Sequence, residues 1–457
     1  MGRMSRAVEM KLLQSFCFFL LLSVVAPLRE VPPSSCSAQI EAIINLQLQH
    51  NSSGFRLPLH HPQSPCSPAP LSSDLPFSDI LHHDSSRVNS LLHRVATSAA
   101  SVPLFKGTAL GIGNYVARIN IGTPPKPYTV VTDTGSSLSW IQCLPCKFYC
   151  LPCKLYCHGQ LDPIFNPAAS STYHTIPCSD AHCSTLLSAT LNPSGCDRSH
   201  TCIYNATYGD RSFSIGYLSQ DTLSLSRSIA SIPNFIFGCG QDNKGLYGES
   251  TGIIGLNKNS ISFFSQLSPK FGSSFSYCLS STSATGYLSF GGYNPGKFVF
   301  TPMSKSSANE GFYYLKLSSI AVAGQSIAVS KESPSIIDSG TVITRLPEEV
   351  YSAVSAAVVR AIGGKVARAP AYSILDTCFK GSAAEVPTPE VAFVFGGGAV
   401  VRLPGSNVMI DVDSGVSCLA FAAEKLETII GNWQQKTFDI VYDVGKRRIG
   451  FAAGGCG

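Results

Sequence analysis

Two short motifs each place an aspartate directly after a run of apolar, mostly β-branched residues. Asp133 opens an Asp-Thr-Gly triplet, and Asp338 opens an Asp-Ser-Gly triplet much later in the chain. The β-branched runs predict buried strands, so each carboxyl group should emerge at a strand end, in a restricted setting. The glycine of each triplet permits a tight turn and lets backbone approach the carboxylate.

The two triplets share a second, downstream pattern. Two isoleucines and a glycine occur at 253–255 after the first triplet and at 429–431 after the second. A single Asp-Ser-Gly is most often a surface turn, but the repeated order of strand, triplet and apolar pair predicts two similar lobes. The lobes would meet at a pseudo-twofold axis and bring Asp133 and Asp338 face to face. The alternative is that both aspartates belong to structural turns.

Two carboxyl groups held close together cannot both ionise cheaply, so the pKa of one rises and that of the other falls. The pair then shares a proton over a broad acidic range. The ionised aspartate can act as a general base on a bridging water molecule, while the protonated one polarises a peptide carbonyl. A tetrahedral diol collapses as a proton passes to the leaving amine. This chemistry cleaves peptide bonds without a covalent intermediate, a metal or any other cofactor.

The elements that must position the triplets are mostly strands. Short β-branched and aromatic runs separated by turn residues predict strands at 115–121, 128–132, 232–237, 313–322, 391–395 and 438–442. Apolar residues at helical spacing, together with helix end signals, predict helices at 77–99, 262–271 and 347–362. We therefore predict a bilobal fold that is dominated by β-strands and contains a few short helices.

The chain has 457 residues, which is long enough for two lobes, and its composition argues against some partners. Charged residues make up 13%, and the formal charge of +5 is spread without a run of Lys or Arg, so we predict no nucleic-acid partner. Basic residues precede an apolar run at 16–26, which predicts a secretory signal peptide at 1–27. An uncleaved anchor is the alternative for this run, and we predict no membrane span in the mature protein.

Residues 28–108 differ in composition from the rest and are predicted to form a propeptide. Pro-rich and Ser-rich stretches precede the helix at 77–99, and a disordered linker is the alternative. We assign 109–300 to an N-terminal lobe with a cysteine-rich insert and 301–457 to a C-terminal lobe. Six of the ten histidines precede Gly111, and we hypothesise that their protonation loosens the propeptide in acid. Alternatively, these histidines only solvate a disordered segment.

Seventeen cysteines indicate an oxidising compartment. Fourteen of them lie from Cys143 onward, an even number that predicts seven disulfides. A tandem heptad at 143–149 and 150–156 contains two Cys-Leu-Pro-Cys sequences, whose spacing also suits half of a zinc site. No matching pair of His or Cys residues follows, and oxidising export disfavours thiolates, so we predict no metal.

From Gly111 to Cys456 the chain resembles the pepsin-like aspartic proteases, specifically their plant nepenthesin-like branch. The resemblance is carried by Ile-Gly-Thr-Pro-Pro at 121–125, Asp-Thr-Gly-Ser-Ser at 133–137, Tyr-Gly-Asp at 208–210, Phe-Gly-Cys-Gly at 237–240 and Asp-Ser-Gly-Thr at 338–341. It implies that Tyr208 belongs to a flap that closes over substrate, with its hydroxyl near Trp140. Many relatives have glycine where this chain has Arg211, so the subsite preference stays open.

The resemblance also implies supporting residues and disulfides. The residues implied to support the carboxyl pair are Thr134, Gly135, Ser136, Ser339, Gly340 and Thr341. The hydroxyl residue after each aspartate should bond across to the other lobe, and the one two positions further should bond the outer carboxylate oxygen. The implied disulfides join Cys157 with Cys239, Cys178 with Cys202, Cys183 with Cys196, Cys278 with Cys456, and Cys378 with Cys418. The four cysteines of the tandem heptad would then pair among themselves.

We expect a secreted aspartic endopeptidase, made as a zymogen, that cleaves polypeptide substrates in acid and has its own propeptide as a partner. A catalytically weak inhibitor or binding protein on the same scaffold is the alternative, because some plant relatives inhibit microbial glycan hydrolases. We expect a monomer in the extracellular space or apoplast, with vacuole or plastid as alternatives. Asn205 opens an Asn-Ala-Thr sequence and is a candidate glycosylation site.

Overall fold

The computed structural model describes fourteen stretches of the chain. They are 33–50, 54–69, 76–96, 114–146, 148–149, 154–155, 157–208, 212–225, 230–245, 248–281, 284–305, 310–329, 334–425 and 427–456. The predicted signal peptide lies outside these stretches. Residues 33–96, called the N-terminal segment below, include the described part of the predicted propeptide.

The α-helices in the described stretches are α1 (Pro33–His50), α2 (Phe77–Ala96), α3 (Ala181–Thr190), α4 (Phe263–Phe271), α5 (Glu348–Ile362), α6 (Gly405–Val408) and α7 (Asn432–Gln435). Short 3₁₀ turns occur at Pro167–Ala169, Pro295–Lys297 and Gly363–Lys365.

Strands make up most of the remaining regular structure. The N-terminal segment and the first lobe contain β1 (Phe55–His60), β2 (Val116–Ile121), β3 (Lys126–Asp133), β4 (Trp140–Gln142), β5 (Phe148–Tyr149), β6 (Lys154–Leu155), β7 (His174–Thr175), β8 (Gly195–Cys196), β9 (Cys202–Thr207), β10 (Phe213–Leu225), β11 (Ala230–Lys244), β12 (Gly252–Gly255), β13 (Ser274–Cys278) and β14 (Thr285–Phe290). The second lobe contains β15 (Val299–Pro302), β16 (Tyr314–Leu315), β17 (Leu317–Val322), β18 (Gln325–Ala328), β19 (Ser335–Ile337), β20 (Thr344–Pro347), β21 (Arg368–Ala369), β22 (Cys378–Lys380), β23 (Val391–Phe395), β24 (Val400–Leu403), β25 (Met409–Asp413), β26 (Val416–Leu419), β27 (Phe421–Glu424), β28 (Ile429–Ile430), β29 (Asp439–Asp443) and β30 (Arg448–Ala452).

The predicted β-dominated, bilobal fold is confirmed, and the three predicted helices form, two of them beginning one residue later than predicted. The helix α4 begins one residue late because the Ser262 side chain caps it by accepting from the Ser265 N–H. The helix α5 ends at Ile362, and the residue that caps it, Gly363, has a φ of +61°, which suits glycine. The stretch predicted as one strand at 313–322 is divided into β16 and β17. The helix α1 was not predicted, because its apolar residues do not recur on one face.

The repeated sequence pattern becomes a repeated pairing of strands. In the first lobe β3 runs parallel to β12, and Asp133 lies opposite Gly255. In the second lobe β19 runs parallel to β28, and Ile337, the residue before Asp338, lies opposite Ile430. Each apolar pair therefore lies in the strand beside the one that leads to an aspartate. The two motifs occur together in each lobe because they pair with one another.

The two lobes and the N-terminal segment share one sheet. Part of its strand order is β15-β30-β29-β13-β14-β1-β2-β3, so the last strands of the chain pair with the first lobe. The strand β1 of the N-terminal segment lies inside this sheet. It pairs with β14 along all six residues and contacts β2 only where His60 lies opposite Val116.

Several predicted disulfide partners were wrong in the cysteine-rich insert. Cys239 pairs with Cys143 rather than with Cys157, and Cys157 pairs with Cys146. The cause is strand pairing, because β4 runs parallel to β11 with Ile141 opposite Cys239, and this brings Cys143, two residues after Ile141, alongside Cys239. Cys143 and Cys146 are therefore not zinc thiolates, and they do not pair within the tandem heptad. Cys150 and Cys153 lie outside the described residues.

Two further predicted pairs exchange partners. Cys178 pairs with Cys196, and Cys183 pairs with Cys202. Cys183 lies on the buried face of α3 and meets the buried Cys202 of β9, whereas Cys196 is exposed at the strand end. The remaining disulfides among the described residues join Cys278 with Cys456 and Cys378 with Cys418, as the resemblance implied, and Cys36 with Cys66 within the N-terminal segment.

Candidate functional site

The two predicted aspartates lie together where the lobes meet. Asp133 closes β3 and Asp338 directly follows β19, and both are almost fully buried. A single nitrogen atom, Nη2 of Arg87, contacts both of them. It lies 2.6 Å from Oδ1 of Asp133 and 3.0 Å from Oδ2 of Asp338. The carboxyl groups therefore face one another across one cation.

The hydroxyl residues after the aspartates bond across the lobe junction. The Ser339 N–H donates to Oγ1 of Thr134 at 2.8 Å, and the Thr134 N–H donates to Oγ of Ser339 at 3.2 Å. This reciprocal pair of bonds matches the arrangement that the resemblance implies. Because all four groups are buried, the two bonds fix the turns that follow Asp133 and Asp338 relative to one another.

The glycines of the triplets allow the two turns to approach. The Gly135 N–H donates to Oδ1 of Asp133 at 2.9 Å, and the Gly340 N–H donates to Oδ1 of Asp338 at 3.1 Å. A Cβ atom on Gly135 would lie 2.7 Å from Oδ1 of Asp338, and one on Gly340 would lie 2.5 Å from Oδ1 of Asp133. Any side chain at either position would collide with the carboxylate of the opposite lobe.

The outer carboxylate oxygens are supported unequally. Oγ1 of Thr341 donates to Oδ2 of Asp338 at 2.6 Å. The predicted bond from Ser136 was wrong: its hydroxyl is near enough to help lower the pKa of Asp133, but it is buried without a hydrogen-bond partner. The guanidinium of Arg87 instead reaches both oxygens of Asp133, with Nη1 donating to Oδ2 at 3.3 Å.

The predicted flap residues are also in contact. Nε1 of the buried Trp140 donates to the Tyr208 hydroxyl at 2.7 Å. Tyr208 follows β9, and its N–H donates to the Ser212 carbonyl at the start of the antiparallel strand β10. Arg211 lies outside the described residues. Asn205, the candidate glycosylation site, is partly exposed on β9.

Arg87 was not predicted as a site residue. It projects from α2, and its guanidinium donates to four carboxylate oxygens; in addition to the contacts above, Nε lies 3.1 Å from Oδ2 of Asp338. Charge-assisted bonds of this kind are about twice as strong as neutral ones. The N-terminal segment therefore occupies the space between the two carboxyl groups.

A second ion pair holds the same helix against the second lobe. Asp84, one turn before Arg87, accepts from the Val342 and Ile343 N–H groups at 2.5 and 3.1 Å. Its Oδ2 also lies 2.9 Å from Nη2 of Arg345, and both side chains are at most 3% exposed. Apolar residues of α2 pack beside the pair; they are Val88, Leu91 and Leu92, against Phe312, Tyr314, Ile336 and Ile429.

The surroundings shift the pKa values of the two aspartates in opposite directions. Burial alone would raise the pKa of Asp133, but the Arg87 charge and the Gly135 N–H outweigh burial and hold this pKa below its usual value. Burial raises the pKa of Asp338, and the neighbouring Asp133 charge raises it further, against the opposing effect of Arg87. Such a split is what two facing carboxyl groups require.

The helical spacing of α2 contained a signal for the missed residue. Ile80, Leu91 and Leu92 define the apolar face of the predicted helix, and Asp84 and Arg87 fall on that same face at intervals of three and four residues. Charged side chains on an apolar helical face are rarely buried without partners. The spacing alone does not identify those partners, which lie more than 40 residues away.

Within the described stretches no helix is both long and apolar enough to span a bilayer. The same stretches contain no group of three or more His, Cys, Asp or Glu side chains arranged to hold a metal ion.

Comparisons with known proteins match nearly all of the region after the N-terminal segment. The family model described as Xylanase inhibitor N-terminal matches residues 115–292, and the one described as Xylanase inhibitor C-terminal matches residues 312–453. An aspartyl protease family protein of Arabidopsis thaliana is 39% identical over 398 residues, covering 83% of this chain and 82% of that protein. Aspartic proteinase nepenthesin-2 of Nepenthes gracilis is 33% identical over 389 residues, covering 81% and 83%.

Solved structures with the same fold include basic 7S globulin from soybean and a protein named edgp. The globulin aligns with a TM-score of 0.60 at 23% identity, covering 74% of this chain and 93% of its own. The protein named edgp aligns with a TM-score of 0.63 at 18% identity, covering 88% and 95%. At these identities the likeness concerns the fold alone.

Proposed function

Because the chain belongs to the plant pepsin-like aspartic protease family, we propose that it is an aspartic endopeptidase with Asp133 and Asp338 as its catalytic pair. The observation that carries the proposal is the shared contact of both carboxyl groups with one guanidinium nitrogen. Groups placed in this way can also hold one water molecule once the cation has left. The substrates would be flexible or unfolded polypeptides, with large apolar residues favoured at the cut.

In the active enzyme the two carboxyl groups would divide two roles between them. The ionised group is the general base that removes a proton from the bridging water. The protonated group polarises the peptide carbonyl. The proton then passes to the leaving amine, and the pair returns to its single shared proton, as is established for aspartic proteases. Tyr208, fixed by Trp140, would cover the bound peptide.

In this proposal the N-terminal segment is the propeptide of a zymogen. Arg87 holds both carboxyl groups in ion pairs, so the pair can neither bind water nor accept a substrate carbonyl. Asp84 and Arg345 fasten the same helix to the second lobe. The segment must therefore leave before the enzyme can act. Acid favours this step, because protonating the carboxyl pair weakens its ion pairs with Arg87.

The finer assignments of location and modification belong to the same proposal. Seven disulfides among the described residues are typical of proteins from oxidising compartments. The protein would be exported through the secretory pathway to the extracellular space or apoplast, and would act there as a monomer. Glycosylation at Asn205 would place a glycan on the outer face of β9.

A binding or inhibitory protein on the same scaffold is the second candidate function. Both matching family models are described as Xylanase inhibitor, which favours this alternative. Against it stand the complete pair of triplets and the Trp140–Tyr208 contact, because a purely binding protein would need neither.

The test is acid incubation of the purified full-length chain with denatured globin, with and without a transition-state peptide inhibitor. The proposal predicts cleavage that the inhibitor blocks and that an Asp133→Asn variant lacks. Loss of the N-terminal segment is followed in the same samples. A chain that loses the segment yet leaves globin intact would contradict the protease and favour the binding protein.

A further inference from the structure

A carboxylate of the N-terminal segment is bound by three donor groups of the second lobe. Oδ1 of Asp84 accepts from the Val342 N–H at 2.5 Å, and its Oδ2 accepts from the Ile343 N–H at 3.1 Å. Nη2 of Arg345 lies 2.9 Å from the same Oδ2. These three groups, called the carboxylate-binding site below, all belong to the region that follows the N-terminal segment.

Departure of the segment would empty this site without removing any of its donors. The Arg345 guanidinium contacts the Asp84 carboxylate, the Ser85 hydroxyl at 3.3 Å and the Ile343 carbonyl at 3.2 Å. Of these described contacts, the Ile343 carbonyl alone would stay. A guanidinium is always charged in proteins and offers five N–H donors. The released enzyme therefore keeps a cation whose donors are mostly open.

The donor set favours an ionised carboxylate as the ligand. Both main-chain N–H groups and the guanidinium only donate, so the ligand must accept at more than one atom. Arginine matches the planar, two-oxygen geometry of a carboxylate, and bonds between charged groups are about twice as strong as neutral ones. The Arg345 side chain is 3% exposed beneath α2, and a buried charge is costly without a counter-charge. A neutral amide would satisfy the site less well.

The carboxylate-binding site lies near the catalytic pair. Asp84 is three residues before Arg87 on α2, and side chains at this spacing are neighbours, with Cβ atoms about 5–6 Å apart. Val342 is four residues after Asp338, and a stretch of that length spans at most about 14 Å. An extended peptide rises about 3.3 Å per residue, so the ligand would belong to a residue within about four positions of the cut.

An apolar surface borders the site and is covered by the same helix. Ile80 and Leu81 of α2 belong to one buried cluster with residues of the second lobe, which include Val342, Ile343, Leu375, Ile410 and Val412. Release of the helix would uncover these side chains together with the three donors. A peptide that carries an acidic residue close to large apolar residues would match both features.

We propose that the carboxylate-binding site is a substrate subsite that selects an aspartate or glutamate side chain near the cleaved bond. This proposal rests on the proposed protease function. Arg345 is its specificity-determining residue, and in the zymogen Asp84 occupies the position of the substrate carboxylate. The alternative is that Asp84 and Arg345 only anchor the N-terminal segment, in which case the released enzyme would not distinguish acidic from neutral side chains here.

The experiment compares peptides that differ only in having glutamate or glutamine at one position. The acid-activated enzyme is assayed at pH 5, where a glutamate with a pKa of about 4.3 is mainly ionised. Glutamate replaces glutamine one position at a time through the four residues on each side of the cut. At one position it should raise kcat/KM about tenfold, mainly by lowering KM, because the site lies apart from the reacting atoms.

Arg345→Gln should abolish this preference, so that the two peptides are cleaved at similar rates. In the zymogen this variant leaves Asp84 buried without its cation, so Asp84→Asn/Arg345→Gln, which removes both charges, is measured beside it. Asp84 leaves with the segment, so both variants yield the same released enzyme. Arg402→Gln is the matched control. Its guanidinium is exposed on β24 and pairs with Glu390, and its loss should leave the preference intact.

Two results would overturn the proposal. One is a wild-type enzyme that cleaves the glutamate and glutamine peptides equally well at every position. The other is a glutamate preference that survives in both Arg345 variants, since the preference would then arise elsewhere. Either result would leave Asp84 with the role of an anchor alone.

A binding measurement separates the subsite from proteolysis. An Asp133→Asn chain receives a cleavage sequence for an unrelated protease between Val102 and Pro103, and its N-terminal segment is then cut off and removed in acid. Fluorescence anisotropy should give the labelled glutamate peptide a Kd about tenfold lower than the glutamine peptide, and Arg345→Gln should remove the difference. Equal Kd values would overturn the subsite even in an active protease. Selective binding by a chain whose wild type cleaves no peptide would refute the protease and support the subsite.

Discussion

Protonation of His60 and His61 should weaken the docking of the N-terminal segment in acid. Both side chains are about 5% exposed, His60 at the end of β1 and His61 directly after it. Arg118 of β2 lies near enough for its charge to act on His60. Lys436 lies near His61, and the Tyr115 ring packs edge-on against it with centroids 5.4 Å apart. Each imidazole is thus enclosed beside a basic group of the region that follows the N-terminal segment.

The size of the effect follows from the pKa values. Burial, with a smaller contribution from Arg118, lowers the pKa of His60 to about 4; burial, with Lys436, lowers that of His61 to about 3. In the released segment both return to about 6.5. The docked state therefore binds fewer protons, so docking is strongest above pH 6.5 and weakens as the pH falls towards 4 and 3. At pH 4 the loss is about 3 kcal/mol for each imidazole.

Lys436 adds to the effect in acid. Burial lowers the pKa of its amine to about 7, so below neutral pH the amine is mainly cationic. A protonated His61 would then lie beside a like charge. The hypothesis from the sequence gave the same role to all six histidines before Gly111. In the structure they differ in burial, because His60 and His61 are buried whereas His82 is exposed on α2.

The assay is amide hydrogen exchange of β1 in the full-length chain between pH 7 and pH 4. Asp133→Asn is present in every sample, to prevent self-cleavage. Protection of β1 should fall steeply in acid, and the His60→Gln/His61→Gln double variant should retain much of it. His82→Gln is the matched control and should behave as the parent does. An acid loss of protection that is the same in the double variant, or that His82→Gln abolishes equally, would refute the reasoning.

Three other substitutions give separate expectations. Arg87→Gln removes the cation between the carboxyl groups. In a time course of activation in acid, it should shorten the lag before activity at least tenfold. An unchanged lag would contradict the role of Arg87 in keeping the zymogen inactive. Asp84→Asn leaves Arg345 buried without a counter-charge. Urea denaturation of the full-length chain should show a free energy of unfolding lower by about 3 kcal/mol. The kcat of the activated enzyme should not change. Tyr208→Phe removes the bond from Trp140 and should lower kcat/KM about fivefold on a peptide substrate; full activity would show that this bond does not position the flap.

The sequence was sufficient to predict the fold class and the arrangement around the carboxyl pair. Asp133 and Asp338 could be predicted because strand, triplet and apolar pair each occur twice. The glycine of each triplet also allows the tight turn in which its N–H bonds the aspartate. The bond between Trp140 and Tyr208 followed from the resemblance. These features depend on short motifs. The residues of each motif contact either one another or the equivalent residues of the other lobe.

Contacts between unrelated segments could not be predicted in this way. Arg87 meets its partners only after α2 docks against the second lobe, and its own neighbours in sequence give no sign of them. The partner of Cys239 depends on the parallel register of β4 and β11, which a spacing argument does not determine.

The central claim is that Asp133 and Asp338 act as one unit, and cleavage rates of three variants test it most directly. The activated Asp133→Asn, Asp338→Asn and doubly substituted enzymes are compared on one peptide at pH 4. The account predicts that each single substitution lowers kcat by a factor of about 10³ or more, and that the double variant is no slower than either. Substantial cleavage by either single variant, or two losses that multiply in the double variant, would contradict it.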